Sequence, residues 1–423
     1  MTTACCEKLN TVTRRRVRSN IASATQSVVV LLVCLTIIVQ YAMLMVYGGD
    51  SEVEDADYGI ARYFALINCC LYFIIVLINL ENIKRWQIAL FLFGIIYLFV
   101  NTLIRRMGYL HLFSYVELLT ALIIFSQMRL SRRSVKQICA FSVIAFLLLY
   151  LMLAYDGTYF YSKTFNLKLN KNHFCKLAIV NLFLALTALR KSDRKIHLSY
   201  LIAYAVGLLI IIPTGSRMAL LCLVALILFH IISIKLKKIN RKKLLRLFIV
   251  CLALSVVAVL VLTYYVPTVL GDDFTLFGRS LLSGRNTIYS DAIQTLSSNN
   301  NWIFGHGFSP FTELKGHIGN YRSDTHNQWL QLALNYGLVF VIFMIVAYVK
   351  VFKYGLKSNP SYATIFLTFF QIILFMYFLT ETLYHLPVYS CLLHVIYFTV
   401  YQSNNGERRN NKLNLDYNRR KTL

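Results

Sequence analysis

Three polar residues in the second half of the chain each stand where a helix is predicted to begin. Arg217 follows the turn Pro213-Thr214-Gly215-Ser216, Arg285 follows a Ser-Gly pair, and His326 directly precedes an apolar run. Helix N-termini expose unpaired N–H groups and a partial positive charge, and the planar guanidinium of arginine matches the geometry of phosphate oxygens. Arg217 and Arg285 therefore predict an anion site suited to a diphosphate.

His326 adds a different chemistry to these two cations. A neutral imidazole within reach of a hydroxyl group can accept its proton, so this residue is a candidate general base. Each of the three residues also has a structural interpretation. An arginine at a helix end often anchors the helix at a membrane interface, and a loop histidine is often only solvated. The sequence alone leaves both interpretations open for each residue.

Four further residues are secondary candidates. Glu117 lies inside an apolar run, where a carboxylate is functional by default, although a structural role is equally open. Arg105 and Arg106 lie between two apolar runs and would face outward, so either the topology differs locally or they act on that side. Glu117 could approach them if their loop folds back. His306 stands between two glycines and is more typical of a turn than of a base.

The elements that must position these residues are membrane-spanning helices. Hydrophobic residues make up 58% of the 423 residues, charged residues only 14%, and the mean hydropathy is +0.60. A soluble domain carries about 25% charged residues, and runs of about 20 apolar residues have the length of a membrane span. We predict an all-α polytopic protein with about twelve transmembrane helices, near 27–47, 60–80, 87–103, 109–128, 138–154, 174–189, 198–213, 217–234, 245–265, 328–349, 362–380 and 385–402.

The distribution of the net charge of +25 along the chain indicates the membrane topology and does not indicate a nucleic-acid partner. With the N-terminus in the cytoplasm and the loops alternating, most of the 43 Lys and Arg residues fall on the cytoplasmic side, as the positive-inside rule requires. Both termini are then cytoplasmic, and the basic segments would contact anionic membrane lipids. The predicted organisation is a basic leader (1–26), nine helices (27–265), a large extracytoplasmic loop (266–327), three helices (328–402) and a basic tail (403–423).

The loop 266–327 is the longest hydrophilic stretch and the only place for a soluble subdomain. Its middle spaces Ile288, Ala292, Ile293 and Leu296 like one apolar helix face, which predicts a short amphipathic helix followed by a tight turn at Trp302–Phe308. Long loops in compact proteins are usually functional. The predicted chemistry is therefore concentrated around this loop.

The order of these motifs resembles the O-antigen ligase and polymerase superfamily. Pro213 to Leu221 resembles its Ser/Thr-Arg-x-Ala-Leu-Leu signature, and Ser283-Gly284-Arg285 with the turn Phe304-Gly305-His306-Gly307-Phe308 resembles its outer-loop core. Thr325 to Gln331, followed by Asn335-Tyr336-Gly337-Leu338, resembles its His-Asn-x-x-Leu…Gly element. The likeness covers residues 213–340, and the first 200 residues are similar in topology only.

The resemblance implies a metal-independent membrane glycosyltransferase that uses no cofactor and acts at the outer face of the bacterial inner membrane. The donor would be an undecaprenyl-diphosphate-linked glycan. Arg217 and Arg285 would bind the diphosphate, and His326 would activate the acceptor hydroxyl. The acceptor would be a lipid-linked repeat unit or lipid A–core.

Within the superfamily, two activities remain open. A polymerase joins lipid-linked repeat units into O-antigen or capsular polysaccharide, whereas a ligase transfers the finished chain to lipid A–core of lipopolysaccharide. The single histidine at His326 and the turn at 304–308 are closer to the polymerases. A transporter of lipid-linked oligosaccharides is a more distant alternative, which would depend on Glu117 and tolerate loss of Arg285.

Overall fold

The computed structural model describes about two thirds of the chain, and the description below concerns these residues only. The described residues are 24–42, 58–105, 109–125, 130–155, 161–162, 167–168, 171–190, 195–236, 239–261, 275–276, 279–280, 285–298, 301–307, 325, 327–356 and 362–379.

The described residues form an all-α protein with two antiparallel pairs of two-residue strands, β1–β2 (Tyr161–Ser162, Leu167–Lys168) and β3–β4 (Thr275–Leu276, Arg279–Ser280). In chain order the helices are α1 (Ala24–Ala42), α2 (Tyr58–Ile78), α3 (Arg85–Ile104), α4 (Tyr109–Leu119), α5 (Arg132–Ala154), α6 (Lys171–Ala188), α7 (Leu198–Ile211), α8 (Arg217–Lys235), α9 (Arg241–Leu260), α10 (Arg285–Ser298), α11 (Gln328–Gly355) and α12 (Tyr362–Phe378). A π-helical segment, Thr120–Ile124, continues α4.

The length and apolar composition of these helices identify a membrane protein. Five helices are long and apolar enough to cross a bilayer, namely α1, α3, α5, α8 and most of α11. Shorter apolar stretches lie in α2, α4, α6, α7 and α12. Eleven of the predicted helix positions thus carry a helix, whereas the predicted helix 385–402 lies outside the described residues, as do the leader up to residue 23 and the tail. The count of twelve spans stays a prediction.

Two helices begin several residues before the apolar runs that predicted them. α5 starts at Arg132, where the Ser131 hydroxyl accepts a hydrogen bond from the Ser134 backbone N–H (3.1 Å). α9 starts at Arg241, where the Asn240 amide oxygen accepts one from Lys242 (2.9 Å). N-capping side chains satisfy exposed N–H groups, and Arg and Lys are good helix formers, so the helices extend into the basic segments.

Three tertiary hydrogen bonds establish how α9, α11 and α12 run relative to one another. The Trp329 indole N–H at the start of α11 donates to the Ser255 hydroxyl late in α9 (3.1 Å), and Arg241 at the start of α9 donates to the Lys353 carbonyl late in α11 (3.2 Å). The Asn327 amide donates to the Leu379 carbonyl, just beyond α12 (3.3 Å). α11 is therefore antiparallel to both α9 and α12.

This arrangement brings the starts of α8 and α11 to one end of the helix bundle. Only residues 236–240 separate α8 from α9, so the end of α8 lies at the same end of the bundle as the start of α9. The start of α8 then lies at the opposite end, where α9 and α12 finish and α11 begins. We call this the site end of the bundle.

Candidate active site

Arg217 is presented by a short, rigid turn at the site end. A single 3₁₀ turn, Ile212–Thr214, is followed by Gly215 at φ 64°, a left-handed conformation that glycine adopts without steric cost. The Thr214 hydroxyl donates to the Ile211 carbonyl (2.6 Å) and accepts from the Ser216 N–H (3.2 Å). Ser216 in turn caps α8 by accepting from the Ala219 N–H (3.4 Å). Arg217, the first residue of α8, is exposed.

The start of α11 is fixed by a buried polar network. Asn327 is fully buried, and its side-chain oxygen accepts from the Leu330 N–H (3.1 Å) as the N-cap of the helix. Thr325 is also fully buried, and its hydroxyl donates to the Asn327 carbonyl (2.9 Å). His326 itself lies outside the described residues. Its two neighbours are thus each tied into the protein core.

A chain of amide side chains extends this network along α11. Gln331 accepts from the Thr325 N–H (2.9 Å) and donates through Nε2 to the Asn335 side-chain oxygen (2.9 Å). Gln331 and Asn335 are 2% and 1% exposed, and the Asn335 amide nitrogen has no hydrogen-bond partner among the described residues. Buried polar groups are nearly always hydrogen-bonded because an unpaired one is costly. The chain therefore couples the position of Thr325 to the middle of α11.

α11 is broken two residues after Asn335, at Gly337. This residue has φ 78° and ψ 175°, a conformation that interrupts the helical hydrogen bonds. The turn at residues 301–307 inserts into the break. The N–H groups of His306 (2.7 Å) and Gly307 (3.3 Å) donate to the Leu334 carbonyl, and the Leu338 N–H donates to the Trp302 carbonyl (2.7 Å). The loop backbone replaces the hydrogen bonds that the helix has lost.

The insertion requires glycine on both partners. A Cβ on Gly337 would collide with the Ile303 carbonyl group, and one on Gly305 (φ 79°) would lie 2.6 Å from the Tyr336 backbone nitrogen. Helix α3 supports the same contact through two side chains. The Tyr97 hydroxyl donates to the Tyr336 carbonyl (2.6 Å), and the Asn101 amide donates to the Phe304 carbonyl (2.7 Å). Since α3 ends at Ile104, this end of α3 also lies near the site end of the bundle.

The secondary candidates lie in different surroundings. His306 is half-buried in the inserted turn, and its Nδ1 is 3.0 Å from the Asn301 amide nitrogen. Arg105 is the C-cap residue directly after α3, and Arg106 lies outside the described residues. Glu117 is fully buried in α4 and accepts a hydrogen bond from the Gln40 amide of α1 (3.2 Å). Thus Glu117 links two helices of the bundle, and its predicted role in catalysis remains a prediction.

Arg285 is the first residue of α10, and its side chain lies outside the described part of the structure. The helix stands where the apolar spacing predicts it, and the buried residues Ile288, Tyr289, Ala292 and Leu296 form its inner face. The structure thus brings the starts of α8 and α11 to one end of the bundle. The convergence of the Arg217, Arg285 and His326 side chains remains a prediction.

Sequence reasoning did not single out Gln331, Asn335, Tyr97 or Asn101. Three of them are amides inside otherwise apolar helices, where a polar side chain needs a partner, and this signal was available in the sequence. Tyr97 and Asn101 bond to backbone carbonyls of the broken helix and of the inserted turn, whereas Gln331 and Asn335 bond to each other. No sequence pattern indicated that the loop enters a helix.

The described residues define an all-α membrane protein in which a turn of the predicted outer loop inserts into a broken helix. Residues 202–345 match the family model for O-antigen ligase, which covers about a third of the chain. The match includes Arg217, Arg285, the inserted turn and the start of α11, and it confirms the predicted resemblance. None of the curated proteins that were compared matches the chain.

Proposed function

We propose that the protein is a polymerase that joins undecaprenyl-diphosphate-linked oligosaccharide repeat units into O-antigen or capsular polysaccharide. The observation that supports a role in polysaccharide assembly is the match of residues 202–345 to the O-antigen ligase family model. It includes the exposed Arg217 at a capped helix start and the fixed residues on either side of His326. The reaction would take place at the outer face of the inner membrane.

In the proposed reaction, a hydroxyl of the acceptor glycan attacks the anomeric carbon of the donor. A new C–O bond forms as the bond between that carbon and the diphosphate oxygen breaks, and the diphosphate leaves with the electron pair. His326 takes the proton of the hydroxyl. Arg217 and Arg285 stabilise the negative charge that develops on the leaving group, as preorganised cations do most effectively.

The buried network around His326 supports its role as the base. A general base must be held within hydrogen-bond reach of the proton that it accepts. Thr325 and Asn327 are both fully buried and hydrogen-bonded, and Gln331 connects Thr325 to Asn335. We therefore expect the backbone at this position to be held rigidly, so that the imidazole is oriented before substrate binds. The diphosphate charge would be met by arginine alone, without a metal ion.

The ligase activity is the second candidate, and the description of the matching family model favours it. A ligase would use the same donor and the same two arginines, and only its acceptor would differ. The single histidine at His326 and the Phe-Gly-His-Gly-Phe turn remain our reasons for placing the polymerase first. The size distribution of the glycan and the lipid that carries it discriminate between the two.

The test is to delete the gene in its host and complement the deletion with wild type, Arg217→Ala, Arg285→Ala and His326→Ala. Arg246→Ala is the matched control, because Arg246 is an exposed arginine early in α9, at the opposite end of the bundle. We expect the deletion and the three site variants to leave single-repeat glycan, and the control to restore long chains. Long chains that persist on undecaprenyl diphosphate without reaching lipid A–core would instead identify a ligase.

A further inference from the structure

A groove of about 380 Å³ runs along the outer surface of α3 and ends at the inserted turn. Its wall is formed by apolar side chains that recur every three or four residues along α3, so they form one stripe. From Phe93 to Ile104 the stripe is about 16 Å long, at 1.5 Å per residue. The apolar lining consists of Phe93, Ile96, Val100 and Ile104 of α3 and Phe304 of the turn.

The lining side chains are largely exposed although they are apolar. Ile96, Val100, Ile104 and Phe304 are 60%, 46%, 70% and 55% exposed. Because α3 is long and apolar enough to cross a bilayer, this surface faces lipid and not water. A narrow stripe on one helix, closed at one end by the turn, accommodates a single hydrocarbon chain better than the paired chains of a phospholipid.

The end of the groove at the turn is polar. Arg105 and Asn101 line it. Asn101 is 5% exposed, and its amide donates to the Phe304 carbonyl, but its side-chain oxygen Oδ1 has no hydrogen-bond partner among the described residues. A buried, unpaired acceptor carries a free-energy cost that a bound ligand can remove. This end of the groove is therefore suited to a ligand with a negative charge for Arg105 and a hydroxyl or N–H donor for Asn101.

We propose that this groove binds the isoprenoid chain of the lipid-linked glycan. Its polar head would lie at the end lined by Asn101 and Arg105, where Arg105 adds a further cation for the diphosphate to Arg217 and Arg285. A polyprenyl diphosphate glycan has both kinds of group that the groove would bind: one apolar chain, and a head with a dianion and sugar hydrogen-bond donors. This inference rests on the proposed function. It adds residues of α3 that lie outside the stretch matched by the family model, residues 202–345.

The groove is connected to the candidate active site through the turn. Phe304 forms part of the groove wall, and two residues further on His306 donates its backbone N–H to Leu334 of α11. Asn335, the next residue, is the end of the amide chain that begins at Thr325. A chain lying in the groove would therefore deliver its diphosphate to the end of the bundle at which Arg217 and the start of α11 lie.

Photo-crosslinking tests the location of the chain without requiring turnover. A benzophenone amino acid is placed at Val100, or at Leu92 as a control, in the full-length protein in nanodiscs with radiolabelled undecaprenyl diphosphate. Leu92 is 49% exposed on the same helix and does not line the groove. We expect strong labelling from position 100 and weak labelling from position 92. Equal labelling from the two positions would overturn the proposal, because it would indicate ordinary lipid contact.

Competition identifies the chemistry that the groove recognises. Unlabelled undecaprenyl diphosphate should abolish the crosslink from position 100, whereas undecaprenol and an excess of phosphatidylglycerol should leave most of it. Arg105→Gln should weaken the preference for the diphosphate over undecaprenol, and Arg105→Lys should weaken it less. Equal competition by phosphatidylglycerol would assign the groove to membrane phospholipids and contradict the proposal.

A variant that fills the groove connects binding to activity. Val100→Trp should raise KM for the lipid-linked substrate about tenfold with a smaller change in kcat, whereas Leu92→Trp should leave both unchanged. Thermal unfolding of both variants checks that they fold.

The groove proposal and the polymerase proposal can be refuted independently. Specific crosslinking at position 100 together with unchanged glycan in the gene deletion would refute the polymerase alone. A polymerase without specific crosslinking at position 100 would refute the groove alone.

Discussion

The backbone of Gly337 touches the backbone of Ile303 so closely that a Cβ on Gly337 would collide with the Ile303 carbonyl group. Glycine is required there for a second reason, because φ 78° with ψ 175° is a conformation that L-residues rarely adopt. The contact joins the loop to the middle of α11. It occurs where the backbone hydrogen bonds of α11 are interrupted. The backbone groups of α11 and of the turn are therefore hydrogen-bonded only when the two segments are in contact.

Gly337→Ala should destabilise the protein severely. Backbone strain alone costs about 1–3 kcal/mol at such a position, and the collision with the turn adds to it. The measurement is the thermal unfolding midpoint of the detergent-solubilised protein. Gly215→Ala is the control, because Gly215 also has a positive φ but a Cβ there would meet no atom within 4 Å. We expect a clearly larger fall for Gly337→Ala, and equal midpoints would contradict the role assigned to the contact.

Tyr97→Phe removes one hydroxyl and tests the support that α3 gives to the broken helix. The Tyr336 carbonyl would lose its 2.6 Å hydrogen bond from Tyr97, and an unsatisfied buried carbonyl costs about 1–3 kcal/mol. The unfolding midpoint should fall accordingly. Tyr63→Phe, at a tyrosine that is 70% exposed, should leave it unchanged. Identical midpoints for the two variants would show that the Tyr97 hydroxyl adds nothing to stability.

Gln331→Met preserves the length of the side chain and removes the amide that joins Thr325 to Asn335. If this chain positions His326, the variant should lose activity at least about tenfold, mainly in kcat, since a misplaced base affects the chemical step more than binding. Chain length of the surface glycan and turnover with lipid-linked donor measure the effect. Gln137→Met, at an exposed position in α5, is the control. Full activity of Gln331→Met would show that the hydrogen-bonded chain from Thr325 to Asn335 does not contribute to catalysis.

Glu117 discriminates between the enzyme and the transporter alternative. Glu117→Gln keeps an oxygen that can accept from the Gln40 amide, so the polymerase should retain activity within about twofold, as expected for a nearly isosteric change that leaves the hydrogen bond intact. Glu117→Leu should lower the unfolding midpoint, because the buried Gln40 amide would lose this acceptor. A transporter that depends on the carboxylate would be inactive as Glu117→Gln and active as Arg285→Ala.

The sequence predicts the helices well and the polar contacts between them poorly. Apolar runs located the described membrane helices to within a few residues, since hydropathy over about 20 residues is a strong signal. The helix start at Arg217 and the amphipathic helix after Ser283-Gly284 followed from local chemistry, which depends only on neighbouring residues. Rules based on neighbouring residues do not predict the hydrogen bond from the Tyr97 hydroxyl to the Tyr336 backbone carbonyl, because these residues are far apart in the chain.

The same limit applies to the inserted turn. Its two glycines and its apolar residues indicated a tight turn, but a turn on the surface and a turn within a helix have the same local sequence. The distinguishing information is the break at Gly337, and a lone glycine in an apolar run is common in membrane helices. Only the tertiary structure shows that Gly305 and Gly337 serve one contact.

The turn at residues 301–307 also divides the predicted outer loop into two separately tethered spans. Residues 262–300 are held between α9 and the turn, and residues 308–324 between the turn and Thr325. A change of length in one span therefore does not alter the distance that the other must bridge. Insertions such as an epitope tag within 308–324 should be tolerated without displacing α10, because the turn at 301–307 separates that span from the helix.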